Sequence, residues 1–179
     1  MRYSYRDVYA ESAAFFGQLG LLVRLEEQYQ IISKDSMQED FILRAAASGD
    51  LSVYEFVCSR LSLYVLERKI HYAVCGAARR GHINILMYIQ ETHPAAIEDG
   101  MIYVYAAERG QKTVMQWALD QGVPHEVIRA TRALARIGYL EALKWAVAQN
   151  FPLDETVVEA AESAGFPAVA DWCKGVLGI

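Results

Sequence analysis

His71 and Cys75 stand four residues apart, a spacing that sets an imidazole beside a thiol on one helical face, where it would draw off the thiol's proton. No orienting third group and no turn suited to an oxyanion accompanies them, so they read as ordinary helix residues. Other chemistry lacks its motifs: the chain has no GxxxxGKS/T or GxGxxG phosphate loop, no HExxH, no GxSxG and no paired CxxC. Cys58, Cys75 and Cys173 are an odd number without metal-ligand spacing, which indicates neither a disulfide framework nor a zinc site and suits a reducing, cytoplasmic compartment. The carboxylates Glu98 and Asp99, and Asp154 and Glu155, are placed to cap helices rather than to flank a substrate bond. Neither an enzyme, a metal nor a cofactor is expected.

Arginine forms the better-organised constellation. Arg129, Arg132 and Arg136, at i, i+3 and i+7, share one helical face, and Arg44, Arg79, Arg80 and Arg109 recur in comparable segments. Acids such as Glu26, Glu27, Asp35, Glu39 and Glu67 lie elsewhere. Guanidinium offers a planar fork to carboxylate or phosphate and stacks on aromatic rings, for which Tyr72, Tyr103 and Tyr105 are candidate neighbours. Tyr103 and Tyr105 alternate on one helix, so both cannot face inward.

What positions these residues follows from size and repetition. The 179 residues, 54% apolar and 22% charged with 4 Pro and 12 Gly, describe a chain that folds along its length. A net charge of -5 does not favour non-specific attraction to phosphate backbones. The apolar run at 102–107 is cut by Glu108 and Arg109, so no membrane span is expected.

Six segments align on Gly17, Gly49, Gly81, Gly110, Gly138 and Gly165, at spacings of 32, 32, 29, 28 and 27 residues. Alanine pairs precede four of these glycines: Ala13-Ala14, Ala45-Ala46, Ala77-Ala78 and Ala106-Ala107. Apolar residues follow at offsets of four and five, and aromatics at seven (Phe56, Tyr88, Trp117, Trp145, Trp172), a stripe of 3.6-residue periodicity. Glycine, which takes the left-handed conformation freely, ends one helix before the next begins. The unit is helix, tight turn, helix. Pro124 and Pro152 recur 28 residues apart where first helices would open, beside Glu126 or Asp154 and Glu155. Lys112 and Pro167 depart from the apolar pattern two residues after glycine, and Arg24, Glu162 and Pro167 suit end units with a wetter face. The reading is an all-α solenoid of six stacked helix pairs over residues 1–179, with the offset-seven aromatics in its core.

AARRGHINILMYI, with Gly81-His82 at its turn, resembles the segment that links the two helices of ankyrin repeats, and the other five segments match in part. The resemblance is to the short, Trp-bearing variety of large DNA viruses, protists and intracellular bacteria, since the threonine-proline-leucine-histidine opening is absent and 27 to 29 residues leave little room for hairpin fingers. It implies a non-enzymatic, host-directed adaptor or effector, monomeric, that binds one protein through its first helices, with His82 stabilising a turn. Arg79, Arg80, Arg109 and Arg136 match positions that in the family project toward the partner. The expected contact set is Arg44, Tyr72, Arg79, Arg80, Tyr105, Glu108, Arg109, Arg132 and Arg136, facing an acidic protein surface. A nucleic-acid-binding helical repeat is the alternative, disfavoured by net charge and by the lack of a regular code pair per repeat.

Overall fold

A computed structural model describes residues 5–32, 38–98, 100–124 and 128–179; Asp35, Asp99 and Glu126 lie outside them. The described residues are all-α, with twelve α-helices and no strand. The helices fall into pairs about the aligned glycines. They are α1 (Tyr5–Phe15) and α2 (Leu19–Tyr29), α3 (Gln38–Ser48) and α4 (Leu51–Ser59), α5 (Leu63–Arg80) and α6 (Ile83–Thr92), α7 (Met101–Ala107) and α8 (Lys112–Asp120), α9 (Ile128–Arg136) and α10 (Leu140–Ala148), and α11 (Glu155–Ser163) and α12 (Pro167–Leu177). The chain divides into two compact units, residues 1–97 and 98–179, of three pairs each. In the first, α1 packs on α3 and α3 on α5; in the second, α7 packs on α9 and α9 on α11.

The turn explains the register of the sequence. All six aligned glycines have φ between 64° and 83°. In five of them the next residue's N–H donates to the carbonyl four residues before the glycine (Ala13, Ala77, Ala106, Leu134 and Ala161) at 2.8–3.0 Å, while the glycine N–H reaches the carbonyl one residue later. This double closure satisfies carbonyls that a helix end otherwise leaves open. The second helix begins two residues after the glycine, so its first position is Leu19, Leu51, Ile83, Lys112, Leu140 or Pro167. Pro167 thus departs from the apolar pattern where proline's fixed φ and missing N–H cost nothing. Pro152 does not open a helix: it precedes Asp154, whose carboxylate caps α11 by accepting from the Thr156 N–H at 2.9 Å.

The core uses the offsets of four and five, with Val53 and Tyr54, Ile85 and Leu86, and Val114 and Met115 buried, together with offset eight: Val57, Ile89, Ala118, Ala146 and Cys173. Each large aliphatic there contributes about 1.5–3 kcal/mol. The offset-seven aromatics do not belong to this layer, contrary to the sequence expectation. Phe56, Tyr88, Trp117, Trp145 and Trp172 are half-buried, because one more residue of helical rotation carries them to the rim. Trp145 there stacks near Phe151, at 6.2 Å, and under the Lys112 ammonium, at 5.5 Å. In the first pair Arg24 is exposed on α2, and so are Tyr5, Val8, Tyr9 and Phe16 on or beside α1.

First helices approach closely because their facing residues are small. Gly76 sits in mid-helix, where it costs about 1 kcal/mol relative to alanine, yet a Cβ there would overlap the Leu43 carbonyl of α3. Polar anchoring follows the repeat as well. Seven residues before Gly110 and Gly138 stand Tyr103 and Thr131; the Tyr103 hydroxyl donates to the Val123 carbonyl at 2.8 Å, and Thr131 Oγ1 lies 2.7 Å from the Pro152 carbonyl. Both residues are fully buried, and each ties the connection that follows its pair.

Successive turns also interlock. The residue after each glycine occupies the N-cap of the second helix, but only Asp50 caps with its side chain. The side chains of His82, Tyr139 and Phe166 instead lie over the preceding turn. A Cβ on Gly49 would meet the His82 ring at 2.5 Å, one on Gly138 would meet the Phe166 ring at 2.5 Å, and one on Gly110 would overlap the Tyr139 ring. His82 Nε2 also lies 3.0 Å from the Ala47 carbonyl, and Asn84 donates to the Gly49 carbonyl at 2.8 Å. Gly165 has the same left-handed backbone, with φ of 80°, but nothing within 4 Å of a Cβ. Gly165→Ala should therefore lose only the left-handed penalty of about 1–2 kcal/mol. Gly110→Ala should lose more in urea denaturation, and the excess should vanish when Tyr139→Ala is added.

Candidate functional site

Helix α9 presents two unlike faces. Ala130, Thr131, Ala133, Leu134 and Ala135 are buried, whereas Arg129, Arg132 and Arg136 are exposed. Helical rotation confines the three arginines to an arc of about 60°. They line a cavity of about 270 Å³ with Val104 and Glu108 of α7, or its end, and Ala160 of α11. A second cavity of about 400 Å³ opens on the other side of Arg132 and Arg136, against Thr156, Glu159, Ala160 and Ser163. Arg129 Nη1 donates to the Met101 sulfur at 3.4 Å. Arg132 and Arg136 form no ion pair among the described residues, although Glu108 and Glu159 line the same cavities.

This lining obeys the repeat. Two residues before the glycine stand Glu108, Arg136 and Ser163; six before it, Val104, Arg132 and Glu159; nine before it, Met101, Arg129 and Thr156. Three successive first helices thus bring equivalent columns to one groove. Thr156, Glu159 and Ser163 were not singled out from the sequence, yet they occupy the same columns as the arginines, one unit further on. The alignment itself carried that signal.

The expected contact set divides accordingly. Glu108, Arg132 and Arg136 are brought together in the groove. Arg109, one residue before its glycine, leaves it, since about 100° of rotation separates it from the column before. Arg109 lines a cavity of about 480 Å³ on the turn side, with Gly138, Tyr139 and Glu141, and Arg80 lies over the Phe15 ring at 4.6 Å. Arg80, Arg109 and Arg136 are all exposed, Arg80 and Arg109 one residue and Arg136 two residues before the glycine. Arg79 and Tyr105 are half-buried on α5 and α7.

Tyr72, half-buried on α5, donates to Glu39, which also holds the Lys69 ammonium at 2.5 Å. The carboxyl of Glu39 is pulled below the usual range, first by its bond to Lys69 and then by Tyr72. Arg44 is bound within its own unit: a guanidinium nitrogen lies 3.0 Å from Glu11 Oε2. Glu11 and Asp7 are both buried between α1 and α3. Burial raises the Glu11 carboxyl above its ordinary range, opposed by Arg44 and reinforced by Asp40 and Asp7.

His71 is exposed with its ring 4.1 Å from that of Tyr72, while Cys75 is buried. The Cys58 thiol is pushed up to about 11 by burial, despite its bond to Tyr54. No cluster of three or more metal-ligating side chains occurs among the described residues. With fold and groove in view, comparison with known proteins adds no relative: the chain matches no family model and no curated protein sequence.

Arg44 gives the prediction for this region. Arg44→Ala leaves Glu11 charged and buried without its counter-ion, which should cost about 1–2 kcal/mol at neutral pH, discounted for partial exposure of the guanidinium. Because the Glu11 pKa is raised in the folded chain, protonation relieves that charge as pH falls through it. The difference in melting temperature between variant and parent should narrow from pH 7 toward the carboxylate range; a constant gap would show that Arg44 acts by packing alone.

Proposed function

We propose that the chain is a non-enzymatic protein-interaction scaffold, an ankyrin-like solenoid of short helix–turn–helix repeats that binds an acidic protein surface through its first helices. The carrying observation is the groove of residues 98–179, where Arg132 and Arg136 line two adjoining cavities without an ion-pair partner among the described residues. Exposed guanidiniums on a rigid helix are suited to steer and orient an anionic partner. Support for the repeat assignment comes from the six left-handed glycines, the recurrent helix pairs and the rings of His82, Tyr139 and Phe166 that interlock successive turns.

A cytoplasmic adaptor or host-directed effector role accords with three free cysteines and with a groove built for binding. No helix among the described residues is long and apolar enough to cross a membrane. Nucleic acid is the weaker reading, because Glu108 and Glu159 interrupt the basic row.

The test compares the parent with Arg132→Glu/Arg136→Glu as bait in a eukaryotic lysate, after circular dichroism shows equal folding. One protein recovered near stoichiometry should fall about tenfold or more with the variant. Equal recovery would contradict the reading, and nucleic acid retained by the parent alone would replace it.

A further inference from the structure

Arg132 and Arg136 form the wall between the cavities of about 270 and 400 Å³, so an anion seated on either side meets both side chains. Among the described residues each leaves its fork of N–H donors without a carboxylate, even though Glu108 shares the first cavity with them and Glu159 the second. Two like charges one helical turn apart repel each other, and a bound dianion would remove that repulsion. We infer that this wall is a binding site for a single phosphate monoester, borne on a side chain of the partner. The inference rests on the scaffold reading only for what carries the phosphate.

Three features select that chemistry. A carboxylate has two oxygens and one charge, which one guanidinium fork matches, whereas a phosphate monoester has three terminal oxygens and about two charges, which suits two forks from Arg132 and Arg136 with Arg129 beside them. The smaller cavity falls just below the range that encloses drug-sized ligands, roughly 300–1,000 Å³, so it admits a phosphorylated side chain more readily than a nucleotide. Glu108 and Glu159 bound the cationic wall on its two sides. A nucleic-acid backbone or a broad acidic patch would press further anions against these carboxylates, while one isolated dianion would meet guanidinium alone. The exposed Ser163 hydroxyl, on the wall of the second cavity, adds a donor.

The experiment titrates the full chain with N-acetyl-O-phosphoserine amide and, separately, with the glutamate and serine amides, following arginine Nε–H resonances by NMR. The phosphoserine probe should shift the Arg132 and Arg136 resonances saturably, bind about tenfold or more tightly than the glutamate probe, and weaken between pH 7.5 and pH 5 as its second ionisation, near pH 6, is reversed. Arg132→Gln/Arg136→Gln, at exposed positions, should abolish the shifts, whereas Lys144→Gln on α10, whose ammonium pairs with Glu141, should leave them unchanged.

Absence of saturable binding, equal affinity for the glutamate probe, or binding that survives in the double glutamine variant would overturn the inference. A captured protein that depends on Arg132 and Arg136 while the phosphoserine probe fails to bind would overturn the phosphate site and leave the scaffold reading standing. Probe binding without any captured partner would uphold the site and contradict the scaffold reading.

Discussion

The contact between a left-handed glycine and the ring that lies over it from the next turn is the constraint on which much of the rest depends. A side chain on Gly49, Gly110 or Gly138 would be strained by its backbone and would also occupy the space taken by His82, Tyr139 or Phe166. The N-cap position gives up its usual role to make this contact, since the overlying side chain no longer reaches the first N–H groups of its own helix. His82 recovers part of that loss through the Ala47 carbonyl. Each turn is thereby fixed relative to the one before it within its unit, and so are the helices that the turn joins.

Once turns and second helices set the register, the outward positions of the first helices carry little structural duty. The small residues three to five before the glycine make the close packing, and the residue seven before it anchors a connection in two units. In residues 98–179, positions two and six before the glycine line the groove, and all but Val104 carry polar or charged side chains there. Val104, Arg132 and Glu159 share one column, buried at Val104 and exposed at Arg132 and Glu159. Variation at these positions changes what the surface binds without disturbing what holds it together.

The parts of this arrangement that were legible in the sequence are those set by local backbone chemistry. Glycine after an alanine pair specifies the helix end, and apolar offsets of four and five specify the buried stripe. The aromatics at offset seven misled, because hydrophobic character marks a stripe but not its edges: Trp117 and Trp145 lie one rotation outside the layer that Ala118 and Ala146 fill. Arg109 and Arg136 read as equivalents although they precede their glycines by one and two residues, a difference of about 100° about the helix axis. Arg44 read as surface because its partner, Glu11, lies 33 positions away in another pair. The column of residues after glycine was visible in the alignment, but its meaning depends on a contact between turns that spacing along one chain does not reveal.

The most direct measurement of this account is the proton NMR of the turn glycines. Aromatic rings packed on Gly110 and Gly138 should shift their Hα resonances strongly upfield and give nuclear Overhauser contacts to Tyr139 and Phe166, whereas Gly165, equally left-handed but open, should show neither. Ordinary Hα shifts at Gly110 and Gly138, with no ring contacts, would contradict the claim that interlocked turns set the register of the fold.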